Sequence, residues 1–388
     1  MEGVGEMGTV YNVVDSDAHV IPPPDFWAEY LPERYRAQAP RIERRDDADY
    51  VVFEGKSKKY NALTAAGGKR PEDFRKEGRV DDARVGGWMP YARLEDMDAD
   101  GVDAAVLYGG GPLGTADPEL FLASFEAYNR WLADFCKAAP DRLAGIAYLP
   151  MHDVDFAIDL MRRMAKLGMR GVNIPAFPQS RESLSNTPAS GVQMLALTGD
   201  PNGERQYRDP EFYPFWEAAI ELGMSVSIHL GARSARFNES EHFLPDMLMT
   251  KFAMAEPMAI MIFGGVFERY PDLKFALVES GVGWMPFAAQ YMDSVWGRHR
   301  HWTKNTLPHP PSYYMDRNVY GSFIFDRVGV LQHDLPGGRN IMWSTDYPHS
   351  ESSYPHSMKN LEETFRGIPE EHTKLITCER AKKLYHFG

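Results

Sequence analysis

The sequence predicts an α/β chain closed into a (β/α)8 TIM barrel. Three observations lead there. Short β-rich runs alternate with longer helical patterns, eight such runs can be counted, and no repeat or low-complexity segment interrupts them. Alternating strands and helices imply a parallel sheet. With eight strands its natural closed form is the TIM barrel, which takes about 250 residues. A chain of 388 residues therefore carries insertions on a single domain.

The strand candidates, in order, are 12–17, 103–108, 143–149, 171–174, 225–229, 274–279, 320–325 and 341–345. Helical periodicity lies between them. In 156–167 (FAIDLMRRMAKL) Ile158, Met161 and Ala165 share one face. The segments 212–222 and 286–296 read the same way, the latter opening on a proline suited to the first helical position. Trp216 and Trp296, on these helices, are expected in the core. The largest insertion, 22–97, follows the first strand. It is rich in charge and turn residues (RIERRDDADYVVFEGKSKKY) and has a hairpin signal at Glu54-Gly55. It is expected to be a cap over the barrel mouth, where water exclusion favours chemistry. A second insertion, 177–208, is polar and punctuated by Gly and Pro.

Composition narrows the function classes. The net charge is −13, from 42 basic and 55 acidic side chains. Nucleic acid is thereby not an expected partner, because phosphate binding needs a basic face. Two cysteines, Cys136 and Cys378, lie in helical patterns without a CxxC pair. A disulfide scaffold is not expected, and a reducing cytoplasm fits. No signal-peptide pattern and no apolar run of membrane length is found, so no membrane partner is expected. A small carboxylic substrate and a homodimer are the expected associations.

The residues that suggest chemistry stand at strand ends. Asp17 and His19 are two apart, so a strand points both the same way. At the C-terminal end of a barrel strand that direction is the mouth, and the pair is half of a metal site. Alone, the fragment also reads as a turn with an exposed histidine. His229 closes the fifth strand, and by itself it fits a satisfied core histidine equally well. Asp346 closes the eighth strand, with His349 three residues on. An unpaired carboxylate there is costly to bury. Glu279 ends the sixth strand. Together Asp17, His19, His229, Glu279 and Asp346 form one ring of nitrogen and oxygen donors without sulfur. That composition suits one or two divalent ions: Zn, Mn or Fe. Asp346, Glu279 and His349 are the candidate catalytic groups, orienting water or carrying a proton. Arg233, Trp284 and Trp27 are the candidate substrate contacts, with Trp88 and Tyr347 as further aromatic residues of the mouth. Arg233 reads equally as a surface ion pair, and Arg236 lies beside it.

The chain resembles the amidohydrolase superfamily, in the branch of aminocarboxymuconate-semialdehyde decarboxylase and related aromatic-acid decarboxylases. The resemblance runs along nearly the whole chain. It is carried by VDSDAHVIPPPDFW, RLEDMDADGVDAAVLY, YNRWLADFCKAAPDRLAGIAYLP, SIHLG, FERYPDLKFALVESGVGWMP and WSTDYPHSES. It implies the barrel, metal dependence, and metal-ligand positions at Asp17, His19, His229 and Asp346. Two departures stand out. The family's first ligand is often His or Glu, and here it is Asp17. Many members end the sixth strand in His, and here Glu279 stands. No lysine ends the fourth strand, so a carboxylate such as Glu279 must serve if two ions are bridged.

Three functions follow. The first is hydrolysis or non-oxidative decarboxylation of a small carboxylic or acyl substrate at a divalent ion. The second is oxygen activation by a nonheme diiron pair, a monooxygenase hydroxylating a lipophilic, coenzyme A-linked or free acid. Three carboxylates with two or more imidazoles resemble diiron ligand sets, and the fold branch holds a diiron oxygenase. The third is a non-enzymatic binding protein on the same scaffold, against which the full ligand ring argues.

Overall fold

The computed structural model describes residues 12–23, 25–187, 189–229 and 240–388. Its main sheet has eight strands that follow one another in chain order: Val14–Val20, Ala104–Gly109, Leu143–Tyr148, Gly171–Asn173, Ser225–His229, Phe275–Val278, Val319–Phe323 and Ile341–Trp343. Every pairing along it is parallel. The eighth strand returns to the first through Asp346 N–H to the Asp17 carbonyl, 2.9 Å, and Ser16 Oγ to the Trp343 carbonyl, 2.8 Å. The architecture is the (β/α)8 barrel, and each strand falls on a predicted run. The first strand extends farther than expected, so His19 lies inside it.

Helices cover the sheet with apolar stripes. In Pro118–Cys136, Phe121, Phe125, Tyr128, Leu132 and Phe135 recur at spacings of three and four and are all buried. Asp117 caps this helix, accepting from Glu119 N–H at 2.9 Å and Leu120 N–H at 3.1 Å. In Val154–Lys166, Ile158 and Met161 are buried and Ala165 packs partly buried against the same core. Trp216 is fully buried, as expected. Trp296 is not: it is half-buried, with the Arg300 guanidinium 4.3 Å from its ring centre. At the end of the barrel where the strands begin, Ala381, Leu384, Tyr385 and Phe387 pack beneath Val14, Val106 and Met342. Tyr385 Oη meets Tyr108 Oη at 3.2 Å, and Arg380 donates to the Ile341 carbonyl at 3.0 Å. The C-terminal segment thus closes one end of the barrel and leaves the other for the site.

The first insertion forms a three-stranded antiparallel sheet, Arg41–Arg44, Asp49–Phe53 and Lys56–Lys59. Glu54 and Gly55 turn its second hairpin with φ of 47° and 71°. That is the left-handed pair a two-residue hairpin requires. Gly67 N–H donates to the Pro348 carbonyl at 2.7 Å, and Ser350 N–H donates to the Leu63 carbonyl at 2.9 Å. The insertion therefore lies against the loop that follows the eighth strand. Its predicted end at Met97 falls inside the helix Pro90–Asp100, which is part of the barrel. The second insertion is less loop-like than its composition suggests. It holds the helices Arg181–Asn186 and Ala189–Thr198. The first is capped reciprocally by Ser180 and Ser183.

Candidate metal centre

The first strand is irregular where the site begins. Asp15 pairs with Ala105 and Ala18 with Leu107, so three steps on one strand oppose two on the other. Such a bulge re-aims side chains. Asp15 braces it: it accepts from Asp17 N–H at 3.0 Å, from Thr345 N–H at 2.9 Å and from the Thr345 hydroxyl. Burial pushes the Asp15 carboxyl up to about 8, against the pull of the Thr345 bonds. Beyond it, Asp17 and His19 project together. Glu279 and Asp346 each leave a strand end with φ of 57°. L-residues adopt that conformation at a cost of about 1–2 kcal/mol. Ser322 Oγ holds the first at Glu279 N–H, 2.8 Å, and the Asp17 carbonyl holds the second.

These turns bring the donors into contact. His19 Nε2 lies 3.5 Å from Asp17 Oδ1 and 3.1 Å from Asp346 Oδ1. His229 Nε2 lies 3.3 Å from Asp17 Oδ1 and 3.6 Å from Glu279 Oε2. His349 Nδ1 lies 2.8 Å from Asp346 Oδ1, and its ring stacks on His19 at 3.8 Å. The donors fall into two overlapping groups, each within 4.8 Å: Asp17, His19, His229 and Glu279, and His19, Glu279, Asp346 and His349. Asp346, expected beside Asp17 and His229, therefore groups with His349 instead.

Asp17 Oδ2, Glu279 Oε2 and Asp346 Oδ2 are buried with no hydrogen-bond partner, and Asp346 Oδ1 faces the His349 and His19 ring nitrogens. Buried carboxylate oxygens facing one another are costly. A divalent cation at their centre reverses that cost, and nitrogen and oxygen donors suit Zn, Mn or Fe. The residues fit a metal ion on this count.

Without an ion, the charges divide unevenly. Burial, then the neighbouring His349, hold the His19 imidazole well below its ordinary range. Burial also opposes charge on His229, but Asp17 outweighs it and raises that imidazole. His349 is carried up to about 9: burial resists, and the Asp346 carboxylate prevails. Burial acts to raise the Glu279 carboxyl, but the Lys251 ammonium and nearby imidazoles bring it below its ordinary value.

Lys251 is the residue sequence reasoning missed. Its Nζ sits 2.7 Å from Glu279 Oε1 and 3.8 Å from Glu351 Oε2. Nothing in the run Met249-Thr250-Lys251-Phe252 distinguishes it from a solvated helix lysine. Asp15 was equally silent, one carboxylate in Asp15-Ser16-Asp17.

A cavity of about 590 Å³ opens on Glu279, Asp346 and His349, and the cap residues Tyr50, Lys58, Lys59 and Asn61 form its far wall. A second, of about 500 Å³, reaches Glu279 from the other side, past Lys251 and Trp284. Trp284 is fixed there by its indole N–H donating to the Ser280 carbonyl at 3.0 Å. Trp27 and Trp88 line a separate cavity of about 180 Å³ that none of the donors reaches. Trp27 packs against Phe26 with the rings tilted by 42° and their centres 4.2 Å apart, away from the ring of donors. Tyr347 points out of the mouth, its hydroxyl on Asp96 and its ring over Arg93. Arg233 and Arg236 lie outside the described residues.

Comparison with known proteins bears on this geometry. The sequence profile of the amidohydrolase family matches residues 14–387. The 2-amino-3-carboxymuconate-6-semialdehyde decarboxylase of Dictyostelium discoideum is 25% identical over 271 residues, 67% of each chain. An amidohydrolase from Mycobacterium avium subsp. paratuberculosis superposes with a TM-score of 0.73 at 19% identity, covering 97% of this chain and 98% of its own. A dihydroxybenzoic acid decarboxylase from a Polaromonas species, solved with manganese and 2-nitroresorcinol, has a TM-score of 0.62 at 19% identity, covering 97% of each chain.

Proposed function

From the premise that the chain belongs to the amidohydrolase family, we propose that it is a metal-dependent enzyme that decarboxylates a small aromatic acid without oxidation. One observation supports this above the others: the ring of buried, partnerless donors at the cavity that ends on His349. Relatives that bear decarboxylase names agree with it.

Asp17, His19 and His229, with Glu279 Oε2, would hold the ion. When bound, it supplies Lewis-acid polarisation of a substrate oxygen. The rest falls to the chain. Lys58 on the cap wall favours entry of a carboxylate into a strongly acidic protein, while Lys59 beside it is paired with Glu77 and Asp47. Asp346 orients the His349 ring and stabilises its proton. His349 then delivers that proton to the carbon from which CO2 departs, as a histidine does in general acid catalysis. Glu279, kept ionised by Lys251, acts as ligand and not as acid. The cap, from residue 22 to the start of the helix Pro90–Asp100, serves as a lid that excludes water, and the chain works as a homodimer.

The test is direct. The chain is loaded with Mn2+ and given hydroxybenzoic acids, and CO2 release is followed. Stoichiometric CO2 without O2 uptake is the expected result. A second reading, a nonheme diiron oxygenase, draws on the overlap of the two donor groups. Iron-dependent O2 uptake with no CO2 would replace the first reading by the second.

A further inference from the structure

Lys251 stands in the last turn of the helix Ser240–Phe252, where the helix dipole favours a cation. Both cavities that reach Glu279 are lined by Glu279 and Glu351, and Lys251 lines the second of them.

The two donor groups compete for the same carboxylate. His19 offers only one nitrogen, Nε2, to the cluster. If Asp17, His19 and His229 hold an ion with Glu279 Oε2, which faces His229 at 3.6 Å, a second ion at Asp346 and His349 needs Glu279 Oε1. That oxygen is already 2.7 Å from Lys251. An ammonium and a divalent ion on one oxygen repel, which weakens binding of a second ion there.

We propose that the Lys251 ammonium takes the place of a second cation, making Glu279 a one-oxygen ligand and limiting the site to one divalent ion per chain. The idea rests on the metal-centre reading above. Lys251 is a positioning residue: it acts through Glu279 and leaves the substrate untouched.

The metal-stripped full chain is titrated with Mn2+, and bound manganese is counted after dialysis while EPR reports ion–ion coupling. The wild type is expected to bind one Mn2+ per chain with the spectrum of an isolated ion. Lys251→Met should bind two with a coupled spectrum, the second on the order of 10–100-fold tighter than in the wild type, the range for residues that act on a ligand. Lys251→Arg should restore one. Lys251→Gln, carried alongside, keeps a hydrogen-bond donor without charge and should behave as Met does, so a folding failure of one variant leaves the other to decide. A wild type that binds two ions overturns the proposal, as does a charge-free variant that binds one with unchanged affinity. A wild type that binds none overturns the metal-centre reading itself, and this proposal with it.

Discussion

Of the proposed ligands, His229 is one whose loss is especially informative, because it belongs to one donor group alone. Consider His229→Ala. The ring it removes contacts Tyr108 at 5.0 Å and His19 at 4.8 Å, so the apoprotein will shift by an amount of its own. The quantity to read is therefore the change in Tm on adding Mn2+. At a metal concentration about 100 times Kd, binding to the native state alone adds about 2.7 kcal/mol. The melting entropy of a 388-residue chain, at about 2.1 cal/mol/K per residue, is about 0.8 kcal/mol/K. The wild type should gain roughly 3 °C. Outer-shell changes alone weaken metal binding about 10–100-fold, so loss of a direct ligand should reach at least the upper figure. At the same metal concentration the variant then gains only about 0.4 kcal/mol, or roughly half a degree. Differential scanning calorimetry with and without Mn2+, beside a metal count, gives both numbers. A variant that keeps the full thermal shift and the full metal content would refute the assignment of His229 as a ligand.

Glu279→Gln keeps size and removes the charge of a proposed ligand; Mn2+ affinity should fall at least tenfold and CO2 release with it, and a variant that keeps both would remove Glu279 from the ligand set. His152 packs on Phe121 with its Nδ1 unpartnered, and burial lowers its imidazole to about 4 despite the Asp153 charge. A lowered pKa means the native state prefers the neutral ring. The associated stability is whole above about pH 6.5 and falls away toward pH 4, by about 2–3 kcal/mol. His152→Gln should flatten that acid limb in urea melts at pH 7 and pH 4.5. Gly199 has φ of 79°, and a Cβ there would stand 1.7 Å from the Phe177 carbonyl oxygen. Gly199→Ala should therefore cost about 2–4 kcal/mol in denaturant melts. Burial raises Cys136 to about 12 and Cys378 to about 11. Neither should react with a thiol reagent at pH 8 until the chain is unfolded.

Much of the architecture was legible because buried parallel strands announce themselves. Phe275–Val278 is covered on both faces and stays apolar throughout, and Ser225–His229, buried at every position, sets only small serines beside Val226 and Ile228, so both runs stand out from their neighbours. The polar residues that end them were legible for the same reason, since a charge after such a run has few places to go. Contacts that depend on tertiary packing left no such trace. Lys251 reaches Glu279 from a helix that begins beyond the fifth strand, and no spacing in the chain encodes that meeting. The position of Trp27 after the first strand points to the mouth. The apolar cap gave it a better partner in Phe26, and tertiary burial overrode proximity. The helices of the second insertion were hidden because Arg181–Asn186 spans only 6 residues, too few for a period to show.

The donors are stitched from both ends of the chain, Asp17 and His19 near its start and Asp346 and His349 near its finish. During synthesis the ribosome releases the first five strands, and even Glu279, long before the last pair appears. A nascent chain halted before residue 346 offers one group of donors and not the other. Barrel closure through Asp346 N–H to the Asp17 carbonyl is thus the same event that completes the second group. An ion captured early would wait in a partial shell, and one captured late would act as a clasp on the finished ring. Translation-arrested chains ending before and after residue 346 should differ in how long they hold Mn2+, which makes metal retention a reporter of when the barrel shuts.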